Sequence, residues 1–271
     1  MNGPAKKIGF IGAGQMATAL AKGFVAAGCC SVDQMLLSDA FATMRDKAKA
    51  NGFSATASNT EVVNFADVVF VSVKPHIVQQ ILPDIKAHWT SDKILVSIAA
   101  GVKIDAYQKV LGADTKIIRV MPNTPCLIGK SAAGYALSTG VQEEDGQYVE
   151  KLLKSVGVAY PVPENLLDAV TGVSGSGPAF VYTFIEAMSD AGVKGGLPRA
   201  VASGLAAQTV LGAAAMVLET GTHPAVLREQ VTSPGGTTIA GVAALEENGM
   251  RHAVISAIDA ARLRATELSK Q

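Results

Sequence analysis

The chain predicts an α/β amino-terminal half, a doubly wound sheet with helices on both faces, followed by an all-α helical half. Three observations carry this reading. Short β-branched, apolar runs alternate with helical stretches as far as Val162. Several of those runs are apolar on both faces, as strands of a sheet covered on both sides must be. Beyond Pro163 the strand pattern stops and long Ala-rich helical segments begin. The boundary therefore falls at about 163–167, dividing the chain into 1–165 and 166–271.

The first strand, Ile8–Ile11, runs straight into Gly12-Ala13-Gly14-Gln15-Met16-Ala17 and then into a proline-free amphipathic stretch ending near Ala27. Strand, glycine turn and helix form the context that a dinucleotide fingerprint requires. Gly12 permits the tight turn, Gly14 lets the backbone approach a pyrophosphate, and Ala17 is small enough for the helix to pack on the strand. The helix start offers unpaired N–H groups and a partial positive charge. Residues Ile11 to Ala17 are thus the first candidate cofactor contacts.

Met35–Ser38 reads as the second strand, with Asp39 at its end. A carboxylate there accepts hydrogen bonds from the adenosine ribose and favours NADH, because a 2′-phosphate would meet a like charge. Ser38 and Arg45 could still serve a phosphate. Phe53–Ala57 suggests a short third strand, with Ser58 or Asn59 capping the next helix. Asp67–Val73 is the clearest strand, and it ends at Lys74-Pro75-His76, where the ligand crevice of such a sheet lies. His76 reads as a helix-start residue. Ile94–Ile98 enters Ala99-Ala100-Gly101, whose small residues allow close approach of a cofactor. Lys116–Met121 ends in Pro122-Asn123-Thr124-Pro125. A final strand pair, Ala132–Leu137 and Val158–Val162, flanks a helix over about 142–155.

In the second half, Gly172–Pro178 predicts a flexible entry with Ser176 as a helix cap. Helices follow to Gly192 and from Pro198 to Glu219. The second carries no charge between Arg199 and Glu219. Its length would permit membrane insertion, but it is rich in Ala and Gly and carries Ser203, Gln208 and Thr209. A soluble helix without a polar face must be covered all round, which one small domain cannot do. An intertwined homodimer is therefore expected, and no membrane. Helices over 224–231, 237–248 and 251–269 follow, the last with Ala253, Val254, Ile258, Ala261 and Leu268 turned inward.

Lys+Arg and Asp+Glu are 23 each, so no basic stripe argues for nucleic acid. Cys29, Cys30 and Cys126 form neither a disulfide framework nor a zinc pattern, and two isolated histidines, His223 and His252, make no metal site. Reduced thiols and the lack of a signal-peptide pattern predict a cytoplasmic protein. The remaining punctuated stretch is Val231-Thr232-Ser233-Pro234-Gly235-Gly236-Thr237-Thr238-Ile239. Its hydroxyls, glycines and helix-start N–H groups suit a small carboxylate. It holds no lysine, histidine or carboxylate, so a reaction there depends on positioning and hydrogen bonding.

Read together, these pieces give the chain a resemblance to the pyrroline-5-carboxylate reductase family. The matching stretches are Ile8–Ala17, Val73–His76, Val96–Gly101, Met121–Pro125, Val173–Ala179, Leu218–Gly221 with His223-Pro224, and Ser233–Thr238. The last is the most specific. The resemblance implies a Rossmann-type amino-terminal domain, a helical dimerisation domain, homodimers or rings of dimers, and reduction of the cyclic imine 1-pyrroline-5-carboxylate to L-proline with NADPH or NADH. It implies that Thr238 hydrogen-bonds the ring nitrogen and that Ser233, Gly236 and Thr237 hold the carboxylate. It also implies that Asn59, Val73, Lys74, Pro75, Ala99 and Ala100 line the cofactor, with Asn123 near the cleft. Some family members carry a small hydroxyl residue where Asp39 stands. Two other readings stay open on the residues: a redox-sensing dinucleotide-binding dimer, and a 3-hydroxy acid dehydrogenase. The second would need a lysine on the long helix of the second domain, where Ala200–Leu218 has none.

Overall fold

The structure, a computed structural model, describes residues 6–269. Eight strands form one sheet: β1 (Ile8–Ile11), β2 (Met35–Ser38), β3 (Ser54–Thr56), β4 (Val68–Val71), β5 (Ile94–Ser97), β6 (Lys116–Met121), β7 (Ser131–Leu137) and β8 (Gly157–Pro161). Helices α1 (Gln15–Ala26), α2 (Ala42–Ala50), α3 (Asn59–Phe65), α4 (Pro75–Lys86), α5 (Ile104–Leu111) and α6 (Glu143–Lys154) connect them. Then come α7 (Leu167–Val170), α8 (Gly177–Lys194), α9 (Arg199–Thr220), α10 (Pro224–Gln230), α11 (Thr237–Glu247) and α12 (Met250–Leu268).

The strand order is β3-β2-β1-β4-β5-β6-β7-β8. The chain winds one way from β1 to β3 and the other way from β4 onward, so the switch point lies between β1 and β4. The expected period-2 burial holds on both faces. Ile8, Phe10, Val68, Phe70, Ile94, Val96, Ile118 and Val120 point into one core, with Leu20 and Phe24 of α1 and Val149 and Leu152 of α6. Ile11, Val69, Val71, Leu95 and Ile117 point into the other, under Val62 of α3, Val78 and Leu82 of α4, and Tyr107 of α5. Phe10 and Phe70 stack at 4.7 Å between ring centroids, with Phe24 tilted 5.7 Å from Phe70. Such aromatic pairs contribute about 0.5–1.5 kcal/mol beyond their buried area.

The sheet is mixed. β6 and β7 pair antiparallel, whereas the other neighbours pair parallel. Residues 122–130 hold only a short 3-10 turn, Thr124–Ile128, too little for a crossover, so β7 returns antiparallel. Helix α6 then supplies the crossover that makes β8 parallel to β7.

The chain divides into two compact units, the described parts of Met1–Ser176 with Ala260–Gln271, and Gly177–Asp259. This division falls later than the break in sequence pattern at 163–167. Leu167 is buried in the second core, and Asn123 Nδ2 donates to Ser174 O at 3.0 Å. These contacts hold 167–176 against the sheet. Thr171–Gly175 is accordingly a π-helical turn rather than a flexible entry, and Ser176 closes it by donating its N–H to Thr171 O at 2.8 Å. Thr266 Oγ1 donates to Asp168 Oδ2 at 2.8 Å, which returns the end of α12 to the first unit.

The second unit has almost no interior of its own. In α8 and α9 only Ser189, Ala202 and Ala206 are buried, and no residue of α10, α11 or α12 is. The inward face expected for α12 is formed only in part: Ile258 and Ala261 are half-buried, whereas Ala253 is exposed, Val254 is 44% and Leu268 50% exposed. Helix α9 is long and apolar enough to cross a membrane by length and composition. The apolar stripes are present in the sequence, but one copy of the unit lacks the surfaces to cover them.

Candidate active site

One candidate region, in the first unit, is the rim of the sheet at the switch point. Gly12 has φ +99°, and a Cβ there would sit 2.9 Å from the carbonyl carbon and oxygen of Ser72. Gly14 is different. Its backbone, φ −68° and ψ −177°, suits any residue, and no protein atom lies within 4 Å of a Cβ built on it. Gly12 is required by the fold, while Gly14 leaves a free approach to the start of α1, where first-turn N–H groups lack helical partners. Gly14 caps α1 with no side-chain hydrogen bond. Ala17 is fully buried, as its packing role demands. Gln15 is exposed, Met16 half-buried, and Ile11 and Ala13 buried. These features fit a dinucleotide pyrophosphate.

Asp39 stands where the ribose carboxylate is expected. Oδ2 accepts from Ala13 N at 3.0 Å and Oδ1 from Phe41 N at 3.0 Å. A carboxylate has about four acceptor sites, so two remain for ribose hydroxyls. Ser38 is fully buried and donates to Asn59 Oδ1 at 2.7 Å. It orients Asn59 from below, instead of facing the crevice. Arg45 Nη1 donates to Asp39 O and Ala40 O, both at 2.9 Å, which folds its guanidinium over the end of β2.

Across the switch point, Val73 is half-buried and Lys74 and Pro75 are exposed at the start of α4, with His76 also exposed in its first turn. In the loop after β5, Ala99 is buried and Ala100 exposed. Asn123 is 7% exposed, and both ends of its amide are engaged: Oδ1 accepts from Ala132 N at 2.9 Å and Nδ2 donates to Ser174 O. It is a clamp on the π-helical turn. Sequence reasoning passed over Ser72, whose hydroxyl lies 2.9 Å from Ile11 O and 2.7 Å from Gly12 O. A hydroxyl ending an apolar strand beside the switch point was the available signal.

A separate candidate region, in the second unit, is the turn before α11. Gly235 has φ +64°, a conformation that favours glycine. Gly236 donates its N–H to Ser233 O at 3.1 Å, and a Cβ on Gly236 would collide with Ser233 Oγ. Gly236 N–H therefore closes the turn, so the backbone donors on offer are those of the first helical turn, Thr237–Ile239. The hydroxyls of Ser233, Thr237 and Thr238 take part in no hydrogen bond among the described residues. Ser233, Gly235 and Thr237 are exposed, Gly236 and Thr238 half-buried. The turn is a cluster of unspent donors without an acid, a base or a metal set. Among the described residues, no group of three His, Cys, Asp or Glu side chains could hold a metal.

The cysteines are all free. Burial pushes the thiols of Cys30 and Cys126 up to about 11, so neither is a ready nucleophile.

Comparison with known proteins finds matches in both parts of the chain. Residues 164–268 match the family model described as pyrroline-5-carboxylate reductase dimerisation. Residues 7–101 match the model described as NADP oxidoreductase, coenzyme F420-dependent. A pyrroline-5-carboxylate reductase of Arabidopsis thaliana is 47% identical over 97% of this chain and 96% of its own length. One of Methanosarcina acetivorans is 43% identical over 98% and 99%. Among solved structures, the pyrroline-5-carboxylate reductase of Coxiella burnetii superposes with a TM-score of 0.92 at 34% identity, covering 98% of this chain and 100% of that one. The Plasmodium falciparum pyrroline carboxylate reductase, solved with NADP bound, gives 0.86 at 34% identity over 97% and 98%. A mixed sheet with an open glycine turn, a helical carboxyl-terminal half and full-length identity to these reductases place this chain in the pyrroline-5-carboxylate reductase family.

Proposed function

We propose that this chain reduces 1-pyrroline-5-carboxylate to L-proline, the last step of proline synthesis, with a nicotinamide dinucleotide as reductant. The observation that supports it best is the Ser233–Thr238 turn: hydroxyl and N–H donors around a helix start, with no acid–base side chain among them. Such a site grips a small carboxylate and aligns its neighbour, and does little else.

When bound, the reduced nicotinamide supplies the hydride. The chain's residues do the rest. Ser233 Oγ and the N–H groups at the start of α11 hold the substrate carboxylate. Thr238 Oγ1 hydrogen-bonds the ring nitrogen. An imine that arrives protonated needs one hydride at carbon and no further proton, so an orienting hydroxyl suffices. Asp39, Asn59, Val73, Lys74, Pro75, Ala99 and Ala100 receive the coenzyme along the sheet rim. Asp39 favours NADH over NADPH, since its carboxylate accepts from a 2′-hydroxyl and repels a 2′-phosphate.

A homodimer fits the same reading. The helices of Gly177–Asp259 bury almost nothing within one chain, and a second copy covers α9 without a membrane. We take the functional domains to be 1–165 for the coenzyme and 166–271 for substrate and dimerisation. A ring of dimers, a cytoplasmic location and the absence of nucleic-acid partners complete the proposal.

The test is coenzyme oxidation by the purified protein with 1-pyrroline-5-carboxylate, run with NADH and with NADPH and followed by proline formation. Turnover is expected with both, faster with NADH. Tight coenzyme binding without turnover would leave only a dinucleotide-binding dimer.

A further inference from the structure

A set of buried and part-buried polar contacts braces one loop of the proposed coenzyme crevice. The loop joins β5 to α5. At its near end, Ser97 Oγ and the Tyr107 hydroxyl are 2.6 Å apart, and Ser97 Oγ also accepts from Ala99 N at 3.3 Å. Tyr107 is fully buried, and burial pushes its hydroxyl up to about 12, so it stays neutral. At the far end, Ile104 at the start of α5 donates its N–H to Glu164 Oε1 at 2.8 Å. A carboxylate there also meets the positive end of the helix dipole. In the middle, Gly101 has φ +77°, and a Cβ built on it would lie 3.6 Å from the backbone of Ser269.

The last two of these supports are joined to each other. Glu164 Oε1 also takes Arg119 Nη1 at 3.1 Å, and Arg119 is 6% exposed. Arg119 Nη2 lies 3.9 Å from Asp168 Oδ1. Asp168 Oδ2 accepts from Thr266 Oγ1, and the carbonyl of Thr266 accepts from Ser269 Oγ at 2.8 Å. A buried guanidinium flanked by two carboxylates holds its geometry, because unpairing any member strands a charge. All of these residues belong to the first compact unit. The turn that ends α12 is therefore fastened to the loop carrying Ala99 and Ala100.

We propose that Thr266 is a positioning residue for the coenzyme: through Asp168, Arg119 and Glu164, its hydroxyl holds the β5–α5 loop in the shape that receives the nicotinamide dinucleotide. This rests on the reading that the sheet rim binds that coenzyme. Thr266 touches neither substrate nor coenzyme, so its effect belongs in coenzyme affinity and not in the chemical step.

The experiment compares Thr266→Val, which keeps the shape and removes the hydroxyl, with Thr266→Ser, which restores it. Coenzyme affinity is read by fluorescence titration of NADH without substrate, beside steady-state kinetics and thermal unfolding. Thr266→Val should raise the NADH Kd and KM by about 3- to 10-fold, the scale of one lost hydrogen bond, while kcat stays within about twofold. Thr266→Ser should return both to within about twofold of the parent. Wild-type affinity in Thr266→Val overturns the proposal. So does a fall in unfolding temperature with Kd unchanged, or equal damage in both variants. The titration needs no turnover, so a failure of the proposed reaction is seen separately in the parent protein's assay.

Discussion

Replacing Gly14 by alanine separates what the fold requires from what the ligand requires. The backbone at Gly14 is extended, and a methyl group there meets no protein atom within 4 Å. Alanine reduces the freedom of the unfolded chain by about 0.4–1 kcal/mol, and is a poorer N-cap than glycine by a similar amount. The two effects oppose, so stability should change by less than about 1 kcal/mol. The methyl group, however, stands where the pyrophosphate must approach. Overpacking costs about 1–3 kcal/mol, which converts to a roughly 5- to 150-fold rise in coenzyme Kd. Gly12→Ala should behave in the opposite way. Its φ of +99° and the 2.9 Å approach to the Ser72 carbonyl put the penalty on folding itself. Thermal unfolding and NADH titration of both variants make the check. If Gly14→Ala bound NADH as the parent does, or unfolded as early as Gly12→Ala, the assignment of this turn to the pyrophosphate would be wrong.

Thr238→Ala should lower kcat/KM by roughly 10- to 100-fold, the worth of a hydrogen bond to a charged nitrogen, with NADH Kd unchanged; full activity would remove Thr238 from the mechanism. Asp39→Ser keeps an acceptor for Phe41 N but removes the charge, and should shift the kcat/KM ratio towards NADPH by about tenfold; an unmoved ratio places the selection elsewhere. Asp145 bears on acid stability. Burial alone would push its carboxyl up, but Lys116 at 2.8 Å and Lys6 at 2.7 Å outweigh that and hold it below 3.8. A lowered folded value gives stability that is present above the unfolded value and lost as pH falls through the folded one. Asp145→Asn should therefore cost about 1–2 kcal/mol at neutral pH, since the lysines are partly exposed. The gap to the parent should close below the ordinary carboxylate range, as seen in unfolding midpoints across pH.

Much of the fold was legible in the residues because its signals are local. The unbroken apolar run of Val68–Val71, the glycine turn after Ile11 and the donors of Ser233–Thr238 each declare themselves within about a dozen positions. Some helix ends were legible for the same reason: the uncharged helix expected from Pro198 to about Glu219 is α9, Arg199–Thr220. Contacts distant in sequence were not. Nothing near Ser38 announces that its hydroxyl turns down to Asn59, and nothing near Asn123 announces Ala132 and Ser174 on either side of its amide. Arg119, Glu164, Asp168 and Thr266 are scattered over the chain, and look like ordinary surface charges and a helix threonine until the sheet brings them together. Local sequence thus determined which elements form and which turns carry open donors, since backbone sterics and periodicity act over a few residues. Tertiary structure alone decided the reversal at β7, the inward turn of polar side chains and the return of the last helix, because burying a polar group depends on partners that only the folded chain supplies.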